Sequence, residues 1–220
     1  MDLFEALKQR HSVREFTGEP LGEEVKAELE EYISALNAES GLNMQLVVNE
    51  PKAFGTLKAK IPHYGFFRNA VNYVALTGIK SADSYEKIGY YGEHIVLKAQ
   101  QMGLRTCWAA GSYKRVDGVC ELREGEKILS VIAIGYGAAD GKPHRSKDVS
   151  RVVEVDGEAP EWFYDGVRAA LLAPTAINQQ RFVFAYKDGA VTARALSGPF
   201  SDIDLGIVKY HFEIGSRRKL

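Results

Sequence analysis

The stretch ILSVIAIGYG, residues 128–137, limits most strongly how this chain can fold. It is a continuous apolar run without a charge, which is typical of a strand buried on both faces. Two shorter segments, NMQLVVNE (43–50) and VNYVALTG (71–78), also have the composition of strands. Helices are predicted for residues 1–9, for Glu23–Ala38 with its apolar three-and-four spacing, and for EHIVLKAQQMGL, which Gly103 would end. The chain therefore combines helices with a buried sheet.

Composition narrows the possible classes of protein. With 220 residues, 45% of them hydrophobic, the chain can bury a core as one domain or two closely fused lobes. The net charge of -1 argues against nucleic-acid binding. No run approaches the roughly 18 apolar residues of a membrane helix, and the N-terminus lacks a secretory signal. We therefore expect a cytoplasmic protein without a membrane or nucleic-acid partner. Its two cysteines, Cys107 and Cys120, are predicted to be reduced thiols.

The sequence also contains a weak internal repeat. The polar residues 138–159 predict a surface connection between an N-terminal part, 1–150, and a shorter C-terminal part, 151–220. A predicted helix, a loop and the strand QQRFVFAY then follow in the order seen near the N-terminus, and both loops end in Asn-x-Gln, at Asn43 and at Asn178. The segments IVLKAQQMG (95–103) and IVKYHFEIG (207–215) match as well. We interpret this as a degenerate duplication, with a chance repeat as the alternative.

The segment RHSVREF, residues 10–16, concentrates groups that bind anions. Its two guanidiniums, one imidazole and one hydroxyl could hold a phosphate through charged and neutral hydrogen bonds. The alternative is a solvated basic turn with surface ion pairs to Glu15 or Glu19. Composition alone favours that alternative.

RHSVREF resembles the phosphate motif of the nitroreductase-like FMN family. APTAINQQ (173–180) is similar to that family's Ala-Pro-Ser, two residues, Asn-x-Gln motif, with Thr in place of Ser. GLRTCWAAGSY (103–113) looks like its helix-end and strand motif, and IGY (134–136) like its strand end, which a basic pair follows. The resemblance implies an α+β, nitroreductase-like fold with a central, mostly antiparallel sheet flanked by helices.

One departure concerns the order of the motifs. In the family the Asn-x-Gln motif follows the phosphate motif closely, and two subunits share each flavin. Here the intact copy lies near the C-terminus, while the expected place keeps only Asn43 and Gln45. The resemblance thus implies two fused unequal halves that mimic the family dimer, with one FMN per chain, in a monomer with an intrachain pseudo-dimer or in a homodimer.

The resemblance assigns roles to particular residues. Asn178 is expected to hydrogen-bond the flavin ring edge or ribityl chain, and the backbone after Cys107 to run beside the ring. The predicted cofactor-binding residues are Arg10, His11, Ser12, Arg14, Trp108, Ala109, Ala110, Gly111, Arg145, Lys147, Pro174, Thr175, Ala176 and Asn178. No catalytic side chain and no metal site are predicted. His63 and Tyr64 could also approach the cofactor, whereas Cys107 and His211 are interpreted as buried structural residues.

The implied activity is hydride transfer from NAD(P)H through FMN to a small electron-poor acceptor, a nitroaromatic or a quinone. The alternative is a flavin-binding protein without turnover, such as an FMN carrier or a redox sensor. Specificity is not readable from a fold.

Overall fold

The computed structural model describes residues 1–54 and 66–220. This part of the chain contains five α-helices and seven strands. The helices are α1 (Leu3–Gln9), α2 (Glu23–Ser40), α3 (Ala82–Gln101), α4 (Glu161–Ala170) and α5 (Ser201–Ser216). The strands are β1 (Gln45–Val47), β2 (Tyr73–Gly78), β3 (Arg105–Ala109), β4 (Lys127–Gly135), β5 (Val153–Val155), β6 (Phe182–Lys187) and β7 (Ala190–Ala195).

The first sheet has the strand order β1-β2-β4-β3, and every neighbouring pair is antiparallel. β4 and β2 occupy its centre, and β4 is buried continuously from Leu129 to Gly135. The prediction of a strand buried on both faces is therefore confirmed, as is the mostly antiparallel sheet.

The second sheet, β5-β6-β7, differs from the sequence expectation. β5 lies parallel to β6, and β7 pairs antiparallel with β6. β5 falls within residues 138–159, so the interpretation of that segment as surface connection alone was wrong for its last third. β7 was not predicted either, because an edge strand with alternating half-exposed residues carries little apolar signal. Its hairpin turn, at Asp188 and Gly189 with φ values of 51° and 82°, does match a known Asp-Gly turn signature.

Helices α3 and α5 pack with their backbones in close approach. A Cβ added at Gly206 would overlap the carbonyl oxygen of Glu86, and one added at Gly89 would overlap that of Ile203. Gly103 ends α3 as predicted, with a φ of 80° and with Leu104 N–H donating to Ala99 O at 2.9 Å. This contact between the two helices brings the first turn of α5 close to the middle of α3.

The element order supports the predicted repeat. Helix, two antiparallel strands and helix occur as α2-β1-β2-α3 and again as α4-β6-β7-α5. Its origin by duplication and the boundary at residue 150 remain predictions. No helix among residues 1–54 and 66–220 has both the length and the apolar character of a membrane span.

The two Asn-x-Gln motifs also make the same kind of contact. Asn43 and Gln45 both donate side-chain N–H groups to Glu121 O, at 2.9 and 2.6 Å, and the Gln45 oxygen accepts the Glu121 N–H at 2.9 Å. Asn178 and Gln180 both donate to Arg145 O at 2.9 Å. Each pair therefore clamps one backbone carbonyl.

Candidate functional site

One cavity of about 680 Å³ gathers most of the residues predicted from sequence. Its volume lies within the roughly 300–1,000 Å³ of small-molecule and cofactor sites. The wall is built by the segment after α1, the end of β3, the loop after α4 and the start of α5. Its lining residues are His11, Ser12, Arg14, Cys107, Trp108, Ala109, Ala110, Gly111, Ser112, Ser130, Lys142, His144, Pro174, Thr175, Ala176, Ile177, Asn178, Pro199, Phe200, Ile203, Asp204 and Ile207.

The segment RHSVREF, residues 10–16, reaches the cavity because it runs extended beside β3. Ser12 forms a parallel bridge with Thr106, and Val13 N–H donates to Thr106 O at 2.9 Å. Side chains alternate along an extended chain. Val13 consequently points into the core, while Ser12 and Arg14 lie on the cavity wall.

Arg10 does not join them, contrary to the sequence prediction. It is the C-terminal cap of α1, before the chain becomes extended, and its side chain is only 3% exposed. A terminal guanidinium nitrogen donates to Leu172 O at 3.3 Å, and its Nε lies 3.9 Å from Glu93 Oε1. Burial lowers the pKa of Arg10, and Glu93 opposes that shift. Arg10 thus binds protein groups at the end of the helix.

Glu93 is the centre of this buried polar cluster. Trp108 Nε1 donates to Glu93 Oε2 at 2.9 Å, and His211 Nε2 lies 2.8 Å from Glu93 Oε1. The other His211 nitrogen lies 3.2 Å from Ala169 O. His211 is therefore a structural histidine, as predicted, and Glu93 fixes the orientation of the Trp108 indole at the cavity.

Residues 107–111 line the cavity where β3 ends. That the backbone of residues 108–111 runs beside a flavin ring stays a prediction. Cys107 is 3% exposed, and burial raises the pKa of its thiol, with Arg14 and Arg10 opposing the shift. This environment agrees with the interpretation of Cys107 as a buried structural residue.

The basic pair predicted after β4 lies off the cavity wall. The Arg145 side chain is exposed and only its carbonyl is used, while Lys147 Nζ donates to Gln179 O and Gln180 O at 2.8 Å. The Lys147 side chain therefore contacts the loop after α4, and the Arg145 side chain lies in solvent. Lys142 and His144 occupy the wall instead. Burial lowers the pKa values of His144 and His11, which favours neutral imidazoles. The His144 Nε2 lies 2.9 Å from Leu171 O, so a neutral His144 donates its N–H to that carbonyl.

The loop after α4 forms the facing wall in an uncommon conformation. Ile177, Asn178 and Gln180 have φ values of 48°, 55° and 46°, and a positive φ is unfavourable for a β-branched residue such as Ile177. Asn178 uses its amide nitrogen for Arg145 O and its oxygen for Gln180 Nε2. Asn178 lies on the cavity wall, and these two bonds hold the loop itself. Its hydrogen bond to a flavin stays a prediction.

Sequence reasoning missed the contribution of α5. Its first two turns supply Ile203, Asp204 and Ile207, and Phe200 precedes them. Nothing in the sequence distinguished these from ordinary residues of a core helix. His63 and Tyr64 lie outside the described residues.

The family model described as "Putative TM nitroreductase" matches residues 2–216. The crystal structure of a "putative nitroreductase" from Thermotoga maritima MSB8 is 25% identical, with a TM-score of 0.67, over 99% of this chain and 84% of that chain. A mutant of the FMN and NADPH-dependent nitroreductase NfnB from Sphigopyxis sp. strain HMH has the same fold, at 16% identity and a TM-score of 0.53, over 70% of this chain and 98% of that chain. No curated protein matches significantly. Because the family model spans almost the whole chain, this protein belongs to that nitroreductase family.

Proposed function

We propose that this protein is an FMN-dependent oxidoreductase that transfers hydride from NAD(P)H through FMN to a small electron-poor acceptor, a nitroaromatic or a quinone. One observation carries the proposal: the predicted phosphate segment and the predicted flavin loop, more than 150 positions apart in sequence, line the same cavity.

The residues of the cavity fit FMN in charge and shape. Arg14 and Lys142 are cationic, and Ser12 and the neutral His11 and His144 provide uncharged polar groups. A guanidinium can bind a phosphate through two parallel hydrogen bonds. Ala176, Ile203 and Ile207 give other parts of the wall an apolar surface suited to an aromatic ring system. We assign the phosphate to the Ser12–Arg14 side and the ring to the β3 end and the 174–178 loop.

When bound, FMN would supply the hydride chemistry, and the protein supplies placement and electrostatics. Residues 108–111 line the cavity, and their backbone would run beside a ring edge. The loop and α5 exclude water from one side of the cavity. Since the loop and α5 belong to the same chain as Arg14, we propose one FMN per chain.

The proposal is tested with protein reconstituted with FMN. Under anaerobic conditions NADH or NADPH should bleach the visible flavin absorbance, and an added nitroaromatic or quinone should restore it. Arg14→Glu places a carboxylate at the phosphate side and should abolish flavin retention, whereas Arg68→Glu, at an exposed ion pair with Glu15, should not.

The two parts of the proposal fail separately. Wild-type protein that retains no FMN would defeat the cofactor assignment. Protein that retains FMN but stays yellow with both nucleotides would defeat the reaction and leave a flavin-binding protein without turnover.

A further inference from the structure

Asp204 is a carboxyl group in the cavity wall that the proposed reaction does not use. It lies in the first turn of α5 and is only 3% exposed. Removing a carboxylate from water is costly unless it is well hydrogen-bonded. Its partners therefore indicate what the group does.

Among the described residues, the hydrogen bonds of the Asp204 carboxylate go to the loop after α4. Ala176 N–H donates to its carboxylate, at 2.9 Å to Oδ1 and 3.2 Å to Oδ2. Gln179 Nε2 donates to Oδ2 at 2.8 Å and also lies 2.7 Å from Pro199 O. The carboxylate thus caps the short turn Ala176–Asn178 from a different element of the chain.

This loop requires such an external tie. Non-glycine residues with positive φ cost on the order of 1–3 kcal/mol each and persist only where surrounding contacts enforce them. The loop has three, at Ile177, Asn178 and Gln180. The bonds of Asn178 and Gln180 to Arg145 O hold its far end, and Asp204 holds its near end at Ala176. In this conformation the Ile177 side chain is 52% exposed at the cavity.

We propose that Asp204 is the positioning residue that holds the 174–180 loop, in its strained conformation, as one wall of the flavin and acceptor site. The proposal rests on the proposed function, because it assigns a ligand to that wall. Asp204 acts through Ala176 and Gln179, and its carboxylate takes no part in hydride transfer.

The electrostatics of Asp204 agree with this role. Burial raises its pKa to about 6, with the bonds from Gln179 and Ala176 opposing the shift. A folded-state pKa above the unfolded value means that the ionised carboxylate lowers stability once the pH exceeds both values. The hydrogen bonds from Ala176 and Gln179 therefore offset part of the cost of burying this charge.

The test compares Asp204→Asn with Asp202→Asn on the same helix turn, where the carboxylate does not line the cavity. At pH 8 Asp204→Asn should unfold in one cooperative transition like wild type, which shows that the variant folds. Its Kd for FMN, from quenching of flavin fluorescence, should rise at least about tenfold, the effect of losing a charged hydrogen bond. The visible spectrum of its bound flavin should shift, and KM for the acceptor should rise more than kcat falls. Asp202→Asn should stay within about twofold of wild type in FMN affinity.

A second variant removes one hydrogen bond of Asp204 by changing the loop residue that donates it. Gln179→Ala removes one donor to Asp204 without altering α5, and it should weaken FMN binding in the same direction. It decides the question if Asp204→Asn fails to fold. Suppose that wild type binds FMN, and that Asp204→Asn and Gln179→Ala bind it equally tightly with an unchanged flavin spectrum. This result would overturn the role of Asp204 but not the proposed function. Absence of FMN binding by wild type overturns the proposed function and, with it, this inference.

Discussion

Arg10 and Arg14 lie four positions apart, yet their guanidinium groups face different surroundings. Arg10 ends a helix and is enclosed with Glu93 and Leu172 O, whereas Arg14 stands on an extended segment at the cavity. The sequence could indicate a basic cluster but not where each side chain points. The side-chain directions depend on the change from helical to extended backbone at Arg10.

Replacing each arginine by methionine should separate these roles. Arg10→Met leaves Glu93 buried with one ionic partner fewer, so the free energy of unfolding should fall by roughly 3 kcal/mol in urea titrations. Arg14→Met should change that free energy by less than about 1 kcal/mol while raising the FMN Kd at least about tenfold. A stable Arg10→Met protein that loses FMN would contradict the assignment.

His94 predicts a dependence of stability on pH. Its ring stacks on Tyr210 with centroids 3.6 Å apart, and its Nε2 has no hydrogen-bond partner among the described residues. Burial lowers the pKa of His94 from 6.5 to about 4. Since the unfolded chain takes up this proton first, stability should fall as the pH drops from 6.5 to 4, by at most about 1.4 kcal/mol per pH unit from this residue.

The variant His94→Phe keeps the stacking and removes the titration. Urea unfolding at several pH values between 4 and 7.5 should show a shallower slope for His94→Phe than for wild type. His11 and His144 are present in both proteins, so the difference isolates His94. Equal slopes would show that His94 titrates normally in the fold.

At the scale of elements, the strength of the local signal decided which predictions succeeded. α2, β4 and the second half of α3 have long apolar patterns, and the structure confirms them. α3 begins at Ala82, before the segment EHIVLKAQQMGL that was predicted from its apolar residues. β5 is three residues long and β7 is a half-exposed edge strand, so neither carries enough apolar residues to stand out. Both strands form because they pair with β6, and a local sequence pattern does not indicate such long-range pairing.

The contact between α3 and α5 predicts an effect at Gly206. Gly206→Ala places a methyl group against the Glu86 carbonyl, and backbone cannot yield as a side chain does. We expect a loss of about 3 kcal/mol or more in the free energy of unfolding, measured in urea. The control Gly22→Ala adds its Cβ into open space at the N-cap of α2 and should cost less than about 1 kcal/mol. Comparable losses in the two variants would argue against a close helix contact.

On the scale of the whole molecule, the cavity combines residues from both predicted parts of the chain. Residues 1–150 supply Arg14 and the end of β3, and residues 151–220 supply the 174–178 loop and α5. The sequence could predict the first three of these because each has a recognisable motif. It could not predict the share of α5, whose side chains reach the cavity only through the packing of α5 on α3 and α4.

The two Asn-x-Gln clamps allow a matched test of one site per chain. Asn178→Ala frees the loop at the cavity and should weaken FMN binding, while Asn43→Ala breaks the equivalent clamp on Glu121 away from the cavity and should leave FMN affinity unchanged. Titration of wild type should saturate at one FMN per chain. Two FMN per chain, or equal losses of affinity in both variants, would indicate a second functional site at Asn43.

The position of α5 in the sequence has a consequence for synthesis. The ribosome completes the phosphate segment, β3 and the loop well before it reaches Phe200, Asp204 and Ile207, and the face of α3 around Gly89 is uncovered until then. A nascent chain that ends before α5 has every recognisable motif and still lacks one wall of the cavity. Under the proposed function, FMN could contact the complete cavity only after α5 has been translated, and a chain truncated before Phe200 would leave the face of α3 around Gly89 uncovered.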